Sequence, residues 1–181
     1  MLIKKQKGFS LIELLIVVAI ILIIAAIAIP NLLRSKMAAN ESSAVGSLRT
    51  ITTASITYAS TYGNGFPPSL GAAGGAAGVT VATCDNALLV DSVLSGNGGT
   101  ATTSQKSGYN FTFVPGTAVA TAGTGCANAG ANTFMVNAIP VTAGSTGQRS
   151  FCTDESGVIR DDTTGAAIPD AATCVALPSL Q

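Results

Sequence analysis

The chain has 181 residues, nine basic and nine acidic, with no histidine and no tryptophan, which gives room for one anchor and one small domain and not for two independent cores. Without histidine the usual neutral-pH proton shuttle and the commonest metal ligand are both missing, which argues against an enzyme. Lys4, Lys5 and Lys7 all precede Gly8, so a chain cut there keeps six basic against nine acidic residues, and a mildly acidic body with no basic tract argues against a specific nucleic-acid site.

The first element is an apolar run. From Leu14 to Ile29 sixteen residues carry no charge, and Pro30-Asn31-Leu32-Leu33 extends the run to Arg34. A helix from Phe9 to Leu33 would span about 37 Å at about 1.5 Å per residue, enough to cross a bilayer core. A secretory signal would instead have a shorter core and a small-residue cleavage site after it. The lysine cluster puts the amino terminus on the cytoplasmic side and everything after residue 33 across the membrane. Glu13 is the anomaly in this run, because an unpaired carboxylate near the start of a membrane helix costs about 2 to 3 kcal/mol or more. Pro30 removes a backbone donor and its ring crowds the turn near Ala26, so the helix is expected to kink or loosen there.

Beyond the membrane-length run the periodicity stays helical. Leu33, Met37, Ala44, Leu48, Ile51, Ser55, Tyr58 and Tyr62 recur at spacings of three, four or seven and form one stripe, with Arg34, Lys36, Glu41 and Arg49 mostly off it. Gly46 weakens the helix by about 1 kcal/mol without ending it. Gly63-Asn64-Gly65 followed by Pro67-Pro68 is the stop, and from Phe9 to Tyr62 the helix would measure about 80 Å.

Residues 63–108 read as a connecting region, low in complexity around 71–78. Within it 79–84 is a candidate strand and 87–96 a short helix or strand. Residues 109–114 alternate as a strand, 133–140 give another, and 149–162 give a hairpin turning at Glu155-Ser156-Gly157 between Phe151-Cys152-Thr153 and Val158-Ile159-Arg160. The expected fold is α+β: a long amino-terminal helix whose amphipathic half packs on a small antiparallel sheet of about four strands. The sequon patterns at Asn40-Glu41-Ser42 and Asn110-Phe111-Thr112 fall in an expected helix and strand and read as coincidence.

The basic leader, Gly8-Phe9, Glu13 four residues on, and the uninterrupted apolar stretch containing Pro30 together resemble the class III signal of type IV pilins and of the related pseudopilins of type II secretion. The resemblance covers residues 4 to about 60. It implies a leader over 1–8 removed by a prepilin peptidase between Gly8 and Phe9, with N-methylation of Phe9. It also implies a membrane and filament-core half of the helix over 9–33, an amphipathic half over 34–62 and a β-rich head over 63–181. In such a filament the Glu13 carboxylate of one copy faces the terminal ammonium of its neighbour, each charge satisfying the other and fixing axial register. The implied partners are further copies of the chain in a helical filament, the inner membrane before assembly, the peptidase and the pilus assembly machinery. The implied localisation is a single-pass inner-membrane precursor and then an extracellular pilus serving adhesion, motility or DNA uptake. A type II secretion pseudopilin and a membrane-anchored exported binding module are the alternatives.

Cys84, Cys126, Cys152 and Cys174 are spaced 42, 26 and 22 apart, with no close metal-ligand pair, and an exported location with an even count favours disulfides. Three connectivities are open. Cys84 with Cys126 and Cys152 with Cys174 is the favoured pairing, since each bond closes a loop-rich segment that can bury little apolar surface, and the resemblance implies that the second pair staples a carboxy-terminal loop to the sheet. Asp154, Glu155, Asp161, Asp162 and Asp170 gather near the end of the chain. Some secretion pseudopilins hold calcium in a comparable loop, which makes Asp154, Asp161 and Asp162 candidate ligands. The absence of glycine-punctuated ligand spacing favours a plain solvated loop and no cofactor.

Overall fold

The computed structural model describes residues 9–180; the leader, with Lys4, Lys5, Lys7 and Gly8, lies outside the described residues. The chain divides into one unit up to Lys36 and a second from Met37 onward. Helix α1 (Leu11–Tyr62) supplies the described helical part of the first and the opening element of the second.

In the second unit α1 is amphipathic. Ala44, Leu48, Ile51, Ser55 and Tyr58 from the predicted stripe are buried, joined by Ser47, Thr52 and Ala54. Met37 and Tyr62 are half-buried, while Leu33, in the first unit, is exposed. The helix stops where the glycine permits a left-handed residue: Gly63 has φ +60°, and its N–H still reaches the Ala59 carbonyl at 3.1 Å.

The rest of this unit is built on a five-stranded antiparallel meander, order β1-β2-β3-β4-β5. Its strands are β1 (Thr103–Lys106), β2 (Tyr109–Pro115), β3 (Phe134–Pro140), β4 (Ser150–Asp154) and β5 (Arg160–Asp162), with two short helices, α2 (Leu70–Ala73) and α3 (Ala171–Ala176). The fold is α+β, and the sheet has one strand more than the expected four. The additional strand is β1, whose sequence Thr-Ser-Gln-Lys has no apolar alternation because it is an edge strand. Backbone pairing to β2 makes it, with Lys106 opposite Tyr109 across a Ser107-Gly108 turn in which both residues have positive φ, +50° and +73°, as a primed two-residue hairpin requires.

Both faces of the sheet are covered, which explains why β3 is buried along nearly its whole length. On one face Phe111, Phe113, Phe134, Val136, Ala138 and Phe151 pack with Ala44, Leu48 and Ile51 of α1. On the other, Met135 and Cys152 pack with Ile168 and Cys174 from the carboxy-terminal segment. Alternate side chains of β3 and β4 thus divide between the two cores, as the pleat dictates.

Three local expectations are corrected. Residues 79–84 form no strand; Val81 is well exposed, and only a Thr83–Asn86 bridge closes a tight turn there. Residues 87–96 are neither helix nor strand, because Ala87, Leu88 and Leu89 donate their N–H groups to the carbonyls of Ala72, Gly74 and Ala73, and that bonding replaces a ladder. In the expected hairpin the return strand begins later: Cys152 pairs with Arg160 and Phe151 with Asp161. Val158 and Ile159 therefore lie in the connection, where Gly157 has φ +75°.

Candidate functional site

The described chain begins at Phe9, which is 80% exposed. Ser10-Leu11-Ile12-Glu13 has the S-x-x-E spacing of a capping box, in which a glutamate three residues into a helix reaches back to the amide before it. The carboxylate of Glu13 accepts the N–H of Ser10 at 3.0 Å, while the Ser10 carbonyl accepts from Glu13 and Leu14 at 3.1 and 3.3 Å. A negative charge here is also favoured by the helix dipole. The first turn therefore holds the one carboxylate of the apolar run at the amino end of its helix, four residues after Phe9.

From Leu11 the helix presents apolar side chains in every direction. This stretch is long and apolar enough to cross a membrane, and none of it is buried within the chain. Leu11, Leu14, Ile16, Ile20, Ile23 and Ile27 are each more than half exposed. Since burial of one such side chain is worth about 1.5 to 3 kcal/mol, a surface of this extent requires lipid or other helices as its surroundings. The helix is continuous through Pro30, where the missing N–H leaves the Ala26 carbonyl without its usual intrahelical donor.

In the second unit Cys84 is bonded to Cys126 and Cys152 to Cys174, with Cα atoms 5.1 and 6.0 Å apart. The first bond lies beside Tyr58, whose hydroxyl is 3.0 Å from the Cys84 sulfur. The second ties β4 to α3.

The carboxylates near the end of the chain do not converge. Asp161 on β5 faces the Arg149 guanidinium at 3.3 Å. Asp154 accepts the N–H and hydroxyl of Ser156, and Asp162 those of Thr164, whose hydrogen bonds hold its carboxyl below the usual range. Glu155 accepts the Phe134 N–H at 3.4 Å, and Asp170 caps α3 through Thr173 N–H at 2.7 Å. Among the described residues no group of three or more acidic, histidine or cysteine side chains is placed to hold a metal.

Two polar arrangements, one half-buried and one buried, carry no signal in the spacing of the sequence. The first is a clasp on α1: one oxygen of Glu41 accepts the backbone N–H groups of Gln148 and Arg149 at 2.9 and 3.2 Å, and the other meets the Arg149 guanidinium at 3.0 Å. Arg149 lies over the Phe151 ring, 5.2 Å from its centroid, and its carbonyl accepts the Tyr109 hydroxyl. Burial pushes the Glu41 carboxyl up, but the N–H groups of Gln148 and Arg149 and the guanidinium outweigh it and hold the group below its ordinary range. The second is Asn64, just past the helix end and 1% exposed. It donates to the Tyr58 hydroxyl at 3.2 Å and the Asn128 carbonyl at 3.0 Å and accepts the Gly123 N–H at 2.8 Å. The helix end is thereby joined to the loop closed by the first disulfide.

Residues 3–29 match a family model described as the prokaryotic N-terminal methylation motif. Over 38 residues, 21% of this chain and 29% of the relative, the chain is 60% identical to the type IV wide pilus major component PilA4 of Thermus thermophilus. Over 50 residues, 28% of this chain and 23% of the relative, it is 50% identical to the type IV major pilin protein PilA of Myxococcus xanthus. The chain thus spans less than a third of the length of either relative. No solved structure matches it significantly.

Proposed function

We propose that this chain is the structural subunit of a type IV pilus and has no catalytic role. The observation that carries the reading is an exposed, membrane-length apolar stretch of helix with a single carboxylate at its first turn, in a segment matching the N-terminal methylation motif. The leader over 1–8 directs insertion with the amino terminus cytoplasmic, a prepilin peptidase cuts between Gly8 and Phe9, and Phe9 is methylated. The helix then leaves the inner membrane for the core of a filament of identical copies, raised by a pilus assembly machine.

Cutting after Gly8 creates an ammonium at Phe9, four residues from Glu13. Each charge alone costs several kcal/mol in an apolar core, whereas a close pair offsets much of that cost. In the isolated subunit the carboxylate is bonded to Ser10 N–H; in the filament its remaining acceptor positions face the ammonium of a neighbouring copy. The two curated relatives are major pilins, which favours a pilus subunit over a secretion pseudopilin. Adhesion, motility and DNA uptake are the roles such a filament would serve, and none of them needs a cofactor in this subunit.

Mass spectrometry of filaments sheared from cells tests the reading. The expected chain starts at Phe9 and carries one methyl group; a sheared fraction lacking the chain, or containing it with residues 1–8 attached, would overturn it.

A further inference from the structure

The second unit contains a cleft of about 340 Å³ that the role of the apolar helix leaves unused. Its walls come from residues 68–69, 72, 85–86, 99–100 and 128–129. Several bonds hold these stretches together, among them the Ala87 N–H to the Ala72 carbonyl at 2.8 Å. The Cys84–Cys126 bond brings 85–86 beside 128–129, and the Asp85 carboxylate accepts the Ala127 N–H at 3.3 Å. Asn64 holds the Asn128 carbonyl, and the Thr83 and Asn86 backbones exchange hydrogen bonds of 3.0 and 3.1 Å. Ser69 donates its hydroxyl to the Gly99 carbonyl at 3.0 Å. A Cβ at Gly71 would come within 2.2 Å of the same carbonyl, so backbone meets backbone there. A cleft fixed in this way exists before any ligand arrives, which spares it the ordering cost of binding.

The lining selects a chemical class. It contains no lysine, arginine or histidine, so phosphate, sulfate and carboxylate ligands would find no counter-charge. Its one ionic group is Asp85. Among the described residues the side-chain amides of Asn86 and Asn128 and the hydroxyl of Thr100, all three of which line the cleft, enter no hydrogen bond within the chain, so donors and acceptors of both kinds remain available there. Pro68, Ala72 and Ala129 add short apolar surface. The volume lies at the low end for small-molecule sites, suited to one or two six-membered rings. Mixed neutral donors and acceptors, one carboxylate able to take two adjacent hydroxyls, and small apolar contacts match a neutral sugar. We propose that this cleft binds a neutral pyranose, its adjacent hydroxyls bridging the Asp85 carboxylate and the Asn86 and Asn128 amides, with Thr100 at the rim. No aromatic ring lines the cleft to stack on the sugar, so the expected dissociation constant is about 1 mM, at the weak end of the affinity scale. The proposal goes beyond the filament role and does not depend on it.

Saturation-transfer NMR on the full chain, in micelles of a detergent without sugar headgroups, tests this with the methyl glycosides of glucose, galactose, mannose and N-acetylglucosamine. The expected result is transfer to the ring protons of at least one glycoside, with affinity lowered about tenfold or more in Asp85→Asn and in Asn128→Ala. Thr100→Ala, on an exposed loop, should weaken binding less, and unchanged near-ultraviolet circular dichroism with an intact Cys84–Cys126 bond checks the fold of each variant. Retention on immobilised glycans ending in the bound sugar would assign a glycan terminus as the ligand, and binding of free glycosides alone would assign the free sugar. Absence of transfer to all four glycosides, transfer that is equal in folded variants, or methylammonium binding tighter than every glycoside would overturn the proposal.

Discussion

Replacing Glu41 with glutamine separates charge from shape at the clasp between α1 and the segment leading into β4. Glutamine keeps a carbonyl oxygen that can accept from Gln148 or Arg149 N–H, but it loses the ionic contact to Arg149, 3.0 Å away in the native chain. The Glu41 side chain is 13% exposed and that of Arg149 36%, so water replaces that contact only in part. Hydrogen bonds to charged groups contribute about 1.5 to 3 kcal/mol. With Arg149 retaining Asp161 at 3.3 Å, the expected loss is about 2 kcal/mol, within that range. For a unit of this size that lowers the melting temperature by about 4 to 8 °C. The sign with pH follows from the depressed carboxyl of Glu41: its stabilisation is complete above the ordinary glutamate range and is lost as pH falls through the folded value. Near-ultraviolet circular dichroism of the full chain in micelles reports the second unit, because the three tyrosines, Tyr58, Tyr62 and Tyr109, all belong to it. The gap between wild type and Glu41→Gln should be present at neutral pH and close in acid. Equal melting at neutral pH, or a gap that persists in acid, would refute this account of the clasp.

Asn64→Ala removes two donated bonds and one accepted bond at a buried position and leaves their partners unsatisfied, so urea unfolding should show a loss of about 2 to 3 kcal/mol. Replacing Cys152 and Cys174 together with alanine opens a crosslink of sequence separation 22. The expected cost is about 3 kcal/mol, and hydrogen exchange should rise first around α3 and Ile168, which pack with that bond.

The amino-terminal half was the most legible part of the sequence, because an unbroken apolar run announces itself in any fold. The amphipathic half of α1 was legible through its stripe: Ala44, Leu48, Ile51, Ser55 and Tyr58 follow helical periodicity closely and are buried. β2 and β3 showed through aromatic and branched residues. β1 did not, since a polar edge strand depends on its neighbour; the Ser107-Gly108 turn was the available signal. The segment 79–96 misled because Val79, Val81, Leu89 and Val90 have strand-like composition, yet Val79 bonds locally to the Ala76 carbonyl and the amides of Ala87, Leu88 and Leu89 go to the carbonyls of Ala72, Gly74 and Ala73 instead of a ladder. Cysteine spacing alone left three connectivities open, since only the tertiary position of α3 against β4 brings Cys174 to Cys152. Glu41 and Arg149 are more than a hundred residues apart, and nothing local to either marks the pair.

The central claim, that Glu13 meets the terminal ammonium of a neighbouring copy in a filament core, is tested most directly by the yield of sheared filaments from cells expressing Glu13→Ala, measured against the amount of processed chain in their membranes. The expected result is normal processing after Gly8 with filaments lost. Wild-type filament yield from that variant would contradict the claim.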